Sequence, residues 1–200
     1  MTALPDFITA DRVIAVARNQ DATTAPALAE ALRKGGLTTL EITVEGERGI
    51  EAVASVAGGP TRVGAGTVTT IDQASASVDA GATFLISPHL DVEILDWARA
   101  RGVPLIPGVF TPTEIHTAVG KGALAVKLFP ASLGGPDLVK ALLAPYPDLA
   151  VVPTGGVDAG NILAYLQAGA AAVGVGGWLT GGTDLDEVTR RARVLASIVP

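Results

Sequence analysis

Two hundred residues without a cysteine give length for one domain with a substantial core and exclude a disulfide-stapled scaffold. The net charge is −6 and the 14 lysines and arginines are scattered, which argues against a nucleic-acid partner. Mean hydropathy is high at +0.44, yet charges and glycines break every stretch short of the ~18 apolar residues a membrane helix needs. The surplus of apolar residues therefore points to a buried parallel sheet covered by helices. Residues 1–10 carry neither the basic patch nor the long apolar segment of a signal peptide, so a cytoplasmic location is expected.

In chain order, short β-branched runs alternate with longer alanine-rich segments of helical period. The first run, 13–17, ends at Arg18 and precedes a helical pattern over 22–34 that stops at Gly35-Gly36. A second strand over 38–43 leads to a helix over 47–57. Within that strand Glu41 and Thr43 share one face, and Leu40, Ile42 and Val44 share the other. The apolar set suits a helix layer, which turns Glu41 inward. Strands at 62–65 and 84–86 precede helices at 71–80 and 91–101. The remaining strands fall at 105–106, 123–127, 150–152 and 172–175, with helices at 112–119, 135–144, 159–168 and 185–197. Asp91 and Thr111 are N-cap residues by type and place, the latter followed by Pro112 at the first helical position.

Eight strand–helix units of about 25 residues each predict an α/β fold, a (β/α)8 TIM barrel forming a single domain over 1–200. A doubly wound open sheet would carry glycines in its first turn, and residues 17–20 contain none. Catalytic groups of such barrels lie at the C-terminal ends of the strands. Read off in order, those ends hold Arg18, Glu41, Thr67, Pro88, Gly108, Lys127, Gly155-Gly156 and Gly176-Gly177. His89 and His116 stand far apart and outside any metal-ligand pattern, so neither metal nor other cofactor is expected.

Lys127 closes the apolar run 123–127 and is followed by Leu128-Phe129-Pro130. A free lysine, with a pKa near 10.4, is uncharged only about once in 2,500 molecules at pH 7. Burial disfavours the ammonium form and yields an amine nucleophile, the requirement of Schiff-base chemistry. An amine that attacks a ketone needs a neighbouring carboxylate to move protons, and Glu41 is the candidate. The glycine pairs Gly155-Gly156 and Gly176-Gly177 end consecutive strands, where barrels bind phosphate through backbone N–H groups.

The segments Leu40-Glu-Ile-Thr43, Val63-Gly-Ala-Gly-Thr-Val68, Ile86-Ser-Pro88, Pro104-Leu-Ile-Pro-Gly108, Val126-Lys-Leu-Phe-Pro-Ala131, Pro153-Thr-Gly-Gly156 and Gly176-Gly-Trp178 span nearly the whole chain. As a set they resemble the 2-keto-3-deoxy-6-phosphogluconate (KDPG) / 4-hydroxy-2-oxoglutarate aldolase family. The resemblance implies a class I, metal-independent lyase of carbohydrate metabolism that releases pyruvate and an aldehyde, and it implies a homotrimer. It makes Lys127 the Schiff-base lysine and Glu41 the proton-transfer residue. Thr67 would bond the pyruvyl carboxylate, Pro88 and Phe129 would shape the pocket, and Gly155, Gly156, Gly176 and Gly177 would offer a phosphate site. Two positions depart from the family pattern: Glu45 stands where an arginine is common, and Gly177 where a serine is common. Arg18 could supply the missing charge. These departures weaken the expected preference for a phosphorylated substrate and leave open an aldolase acting on an unphosphorylated 2-keto acid. A metal-dependent phosphate-binding isomerase or synthase and a non-catalytic anion-binding barrel are the other readings.

Overall fold

The computed structural model describes residues 4–199, so the first three residues of the segment read against a signal peptide lie outside the described residues. Helix α1 (Asp6–Asp11) leads into strand β1 (Val13–Ala17), helix α2 (Ala25–Lys34), strand β2 (Thr39–Thr43) and helix α3 (Glu47–Val56). Next come β3 (Arg62–Gly66), α4 (Ile71–Asp79), β4 (Leu85–Ile86), α5 (Val92–Ala100), β5 (Leu105–Ile106) and β6 (Gly108–Val109). The chain continues through α6 (Pro112–Gly120), β7 (Ala125–Leu128), α7 (Gly135–Leu143), β8 (Ala150–Pro153) and α8 (Ile162–Gln167). It ends with β9 (Val173–Val175), the short α9 (Gly177–Thr180) and α10 (Leu185–Ile198).

All strand pairs are parallel, ordered β5-β4-β3-β2-β1-β9 in one curled sheet and β6-β7-β8 in another. The expected fifth strand is thus longer than 105–106 but divided at Pro107, which has no N–H for a ladder. A parallel bridge from Thr154 to Gly174 links the second sheet to β9. Helices α1 and α9 are too short to show a period in the sequence.

Two apolar layers follow from strand alternation. The larger lies between sheet and helices and takes Leu40, Ile42, Val63, Ala65, Val126, Leu128, Val173 and Val175 from the outward faces of the strands. The smaller fills the inner face with Ile14, Phe84, Ile86, Ile106, Ala125, Val152 and Ala172, closed from below by Leu4 and by Ile8 of α1. The helix signals hold where they were read. Asp91 accepts from the Glu93 and Ile94 amides at 2.8 and 3.1 Å. Thr111 and Glu114 form a capping box with Pro112 in the first turn. Of the pair ending α2, Gly36 has the left-handed φ of 93°, whereas Gly35 is there because a Cβ would overlap Ala192 of α10.

Candidate active site

Lys127 sits in the middle of the β6-β7-β8 sheet, paired in register with Gly108 and Val152, its amide donating to the Pro107 carbonyl at 2.8 Å. Neighbours at 126 and 128 face the helices, so alternation sends the lysine stem inward. On β2 the same rule turns Thr39, Glu41 and Thr43 inward. The two elements meet where Lys127 Nζ lies 3.5 Å from Glu41 Oε1, with the side chains only 5% and 1% exposed.

Glu41 Oε1 takes no well-aligned hydrogen bond, so its link to the lysine is a charge contact rather than a directed bond. Burying both partners removes their hydration, and such pairs are weak contributors to stability. A buried ion pair that adds little stability makes these two residues the candidates for chemistry. The lysine ammonium also stands 5.2 Å from the ring centroid of Phe129, on the carboxyl side of the same strand.

Space for the carboxylate comes from β3. Glu41 is in register with Gly64 and Thr43 with Gly66, and a Cβ on Gly66 would overlap the Glu41 carboxylate. Gly64 likewise makes way for the Phe84 ring, and Gly174 for the Thr154 side chain. Glycine inside a strand marks such close approach, and the Gly64-x-Gly66 alternation is the sequence signal from which this could have been read. At the end of β3, Thr67 has φ 60°, a left-handed conformation that a β-branched residue adopts only under constraint, at about 1–3 kcal/mol.

Past the carboxyl ends of β1, β8 and β9 opens a cleft of about 320 Å³ lined by Arg18, Phe129, Gly155, Gly156, Asp158, Gly176 and Gly177, among others, and neither Lys127 nor Glu41 lines it. Phe129 joins the cleft to the buried lysine. Gly155 and Gly156 have φ of 94° and 79°, which turns the loop after β8 in a way other residues resist. The Asn161 side chain anchors that loop by donating to the Gly156 carbonyl at 2.8 Å. Among the described residues neither glycine N–H donates to a protein acceptor. Arg18 extends from β1 and pairs with Glu45 at 3.6 Å, both about half exposed. Thr67 and Pro88, half-buried at the ends of β3 and β4, are not among the residues lining this cleft.

Most of the expected set falls into two groups, and Thr67 and Pro88 belong to neither. Lys127, Glu41 and Phe129 form a buried centre, while Arg18 and the two glycine pairs line the cleft. His116 faces Tyr146 at 3.3 Å on the protein surface, and no group of three or more potential metal ligands exists among the described residues. No helix among these residues is long and apolar enough to cross a membrane.

The family model for "KDPG and KHG aldolase" matches residues 5–192. A 2-dehydro-3-deoxy-phosphogluconate aldolase of Pseudomonas aeruginosa is 42% identical over 142 residues, which span 70% of this chain and 64% of that protein. The solved structure of a 4-hydroxy-2-oxoglutarate/KDPG aldolase from TTHB1 is 34% identical and superposes with a TM-score of 0.89 over 96% of both chains. A KDPG aldolase from Legionella pneumophila, solved with pyruvate captured as a covalent carbinolamine, is 31% identical with a TM-score of 0.80. That match covers 96% of this chain and 94% of the Legionella one. On the family match and this shared architecture, the chain belongs to the KDPG and KHG aldolase family.

Proposed function

We propose that this chain is a class I aldolase that cleaves a KDPG or 4-hydroxy-2-oxoglutarate type substrate reversibly to pyruvate and an aldehyde, glyceraldehyde 3-phosphate or glyoxylate. The observation that carries the reading is the buried contact of Lys127 with Glu41 at 3.5 Å. In the first step Glu41 takes a proton from Lys127, and the amine so formed attacks the C2 keto carbon. Glu41 then protonates the carbinolamine oxygen, which departs as water and leaves the iminium. For cleavage Glu41 takes the proton of the C4 hydroxyl. The C3–C4 electron pair passes into the iminium to give the enamine, and C4 leaves as the aldehyde carbonyl. Protonation at C3 and hydrolysis return pyruvate and Lys127.

In this reading Thr67 bonds the substrate carboxylate, a role consistent with its enforced backbone conformation, and Pro88 and Phe129 shape the pocket. The amides of Gly155 and Gly156, the edge formed by Gly176 and Gly177, and Arg18 receive the phosphate. The Arg18–Glu45 pair is solvent-exposed and worth about 0–1 kcal/mol, so an arriving phosphate displaces Glu45 at little cost. A Cβ at position 177 meets nothing within 4 Å, so a hydroxyl can be added there without strain. Gly177→Ser is expected to raise kcat/KM for the phosphorylated acid about 2- to 10-fold, the worth of one hydrogen bond, and to leave the unphosphorylated acid unchanged. Equal gains for both acids, or none for either, would remove the phosphate from this cleft.

The same reading joins the two curled sheets into one closed (β/α)8 barrel, a single domain over 1–200. Chain continuity through Pro107 and the Thr154–Gly174 bridge support it. It also takes the chain to be cytoplasmic and a homotrimer. Leu133, 74% exposed, and Leu163 of α8 offer apolar surface for that assembly, and sedimentation at the 20.1 kDa of one chain would contradict it.

A further inference from the structure

We infer that Thr43 is a further catalytic residue, whose hydroxyl holds the substrate's C4 oxygen jointly with Glu41 while the carbon–carbon bond breaks. This rests on the aldolase reading above. Two buried side-chain polar atoms lack a hydrogen-bond partner among the described residues, and they are Glu41 Oε1 and Thr43 Oγ1. Other buried hydroxyls are satisfied: Thr39 Oγ1 donates to Asp11 at 2.8 Å, and Ser77 Oγ to the Gln73 carbonyl at 2.7 Å. A buried hydroxyl left without a partner costs about 1–3 kcal/mol, so its retention at position 43 calls for a use.

The two atoms are neighbours by construction. Glu41 and Thr43 share the inner face of β2, with Thr43 nearer the carboxyl end where the cleft lies. Thr43 is in register with Gly66, and the Glu41 carboxylate occupies the space over Gly66. The carboxylate is therefore drawn alongside the Thr43 side chain. Val16, the β1 partner of Glu41, brings no polar group between them.

The chemistry of the two atoms specifies what they hold. An ionised carboxylate only accepts hydrogen bonds, whereas a threonine hydroxyl can also donate. One oxygen that donates to Glu41 and accepts from Thr43 satisfies both, and a hydroxyl group does this. A carboxylate or phosphate oxygen cannot donate, and it would meet the charge of Glu41. In the substrate, the C4 hydroxyl is the group whose proton Glu41 must take. As the O–H electrons form the aldehyde C=O bond and the C3–C4 pair enters the iminium, negative charge grows on that oxygen. Thr43 keeps its own proton and donates to the oxygen throughout, acting as a single oxyanion donor. Glu41 Oε1 is as buried as Thr43 Oγ1, so a group that meets both is enclosed by the inner face.

The test separates two partial reactions. Exchange of pyruvate methyl protons with deuterium oxide uses Lys127 and Glu41 but involves no C4 hydroxyl, whereas cleavage of KDPG or 4-hydroxy-2-oxoglutarate does. In Thr43→Val, cleavage is expected to fall about 10²- to 10³-fold, the scale of one lost oxyanion donor, with exchange within about threefold of wild type. Thr43→Ser is expected to recover cleavage, and Thr43→Ala serves as a second hydroxyl-free variant should valine disturb folding. Near-normal cleavage in the hydroxyl-free variants would overturn the assignment. So would exchange and cleavage falling together, the mark of a structural water or a general packing role. A wild-type protein that neither exchanges nor cleaves would instead overturn the aldolase reading beneath it.

Discussion

Lys127→Met is expected to lower turnover by about 10⁴-fold or more, because the account gives the amine a covalent role that no neighbour can assume. The remaining lysines are Lys34 at the end of α2, Lys121 after α6 and Lys140 on α7, all on the helical shell. Lys121 is moreover engaged with Asp96 at 3.2 Å. Methionine keeps the apolar stem and contact with Phe129 while removing the nucleophile. It also leaves the Glu41 carboxylate buried without its counter-charge, which can cost about 3–5 kcal/mol. Activity must therefore be expressed per folded molecule, with circular dichroism as the check. Activity within about tenfold of wild type in folded Lys127→Met would remove the Schiff base from the mechanism.

Glu41→Gln is expected to lower turnover by about 10²-fold or more, while the protein still forms an imine with pyruvate, more slowly, with solvent supplying the proton for dehydration. Glutamine fills the space over Gly66 and beside Lys127 but does not exchange protons. Imine formation and proton transfer are thereby uncoupled. Steady-state cleavage alongside imine trapping reads the two separately, and near-normal cleavage in Glu41→Gln would dismiss Glu41 as the proton carrier.

The centre of the site was legible because strand alternation decides it. A lysine ending an apolar strand and a glutamate between Leu40 and Ile42 can only turn inward if the apolar residues pack under helices, and they do. The strand positions followed from the same rule. What alternation leaves open is depth and fit. It gives Thr43 the face of Glu41 but not the lack of a partner for its hydroxyl among the described residues. It gives Gly66 no purpose until the Glu41 carboxylate is seen lying over it.

The sequence links Arg18 to Glu45 only as the cation that could replace the one missing at position 45. Their pairing at 3.6 Å depends on the β1–β2 register, which no local pattern reveals. Pro107 shows the limit in another form. Its missing N–H predicts a break in the ladder, but not that a two-residue strand resumes at Gly108, where a Cβ would overlap the Pro88 backbone. Thr67 takes a left-handed φ that no local sequence pattern announces. Position 88, by contrast, carries only its place at a strand end.

The central claim is that Lys127 forms an imine with pyruvate. Borohydride added with pyruvate reduces an imine to a stable secondary amine, and peptide mass analysis locates it. A three-carbon adduct on the peptide containing Lys127, absent without pyruvate, is the predicted result. No adduct, or an adduct on Lys34, Lys121 or Lys140, would contradict the account.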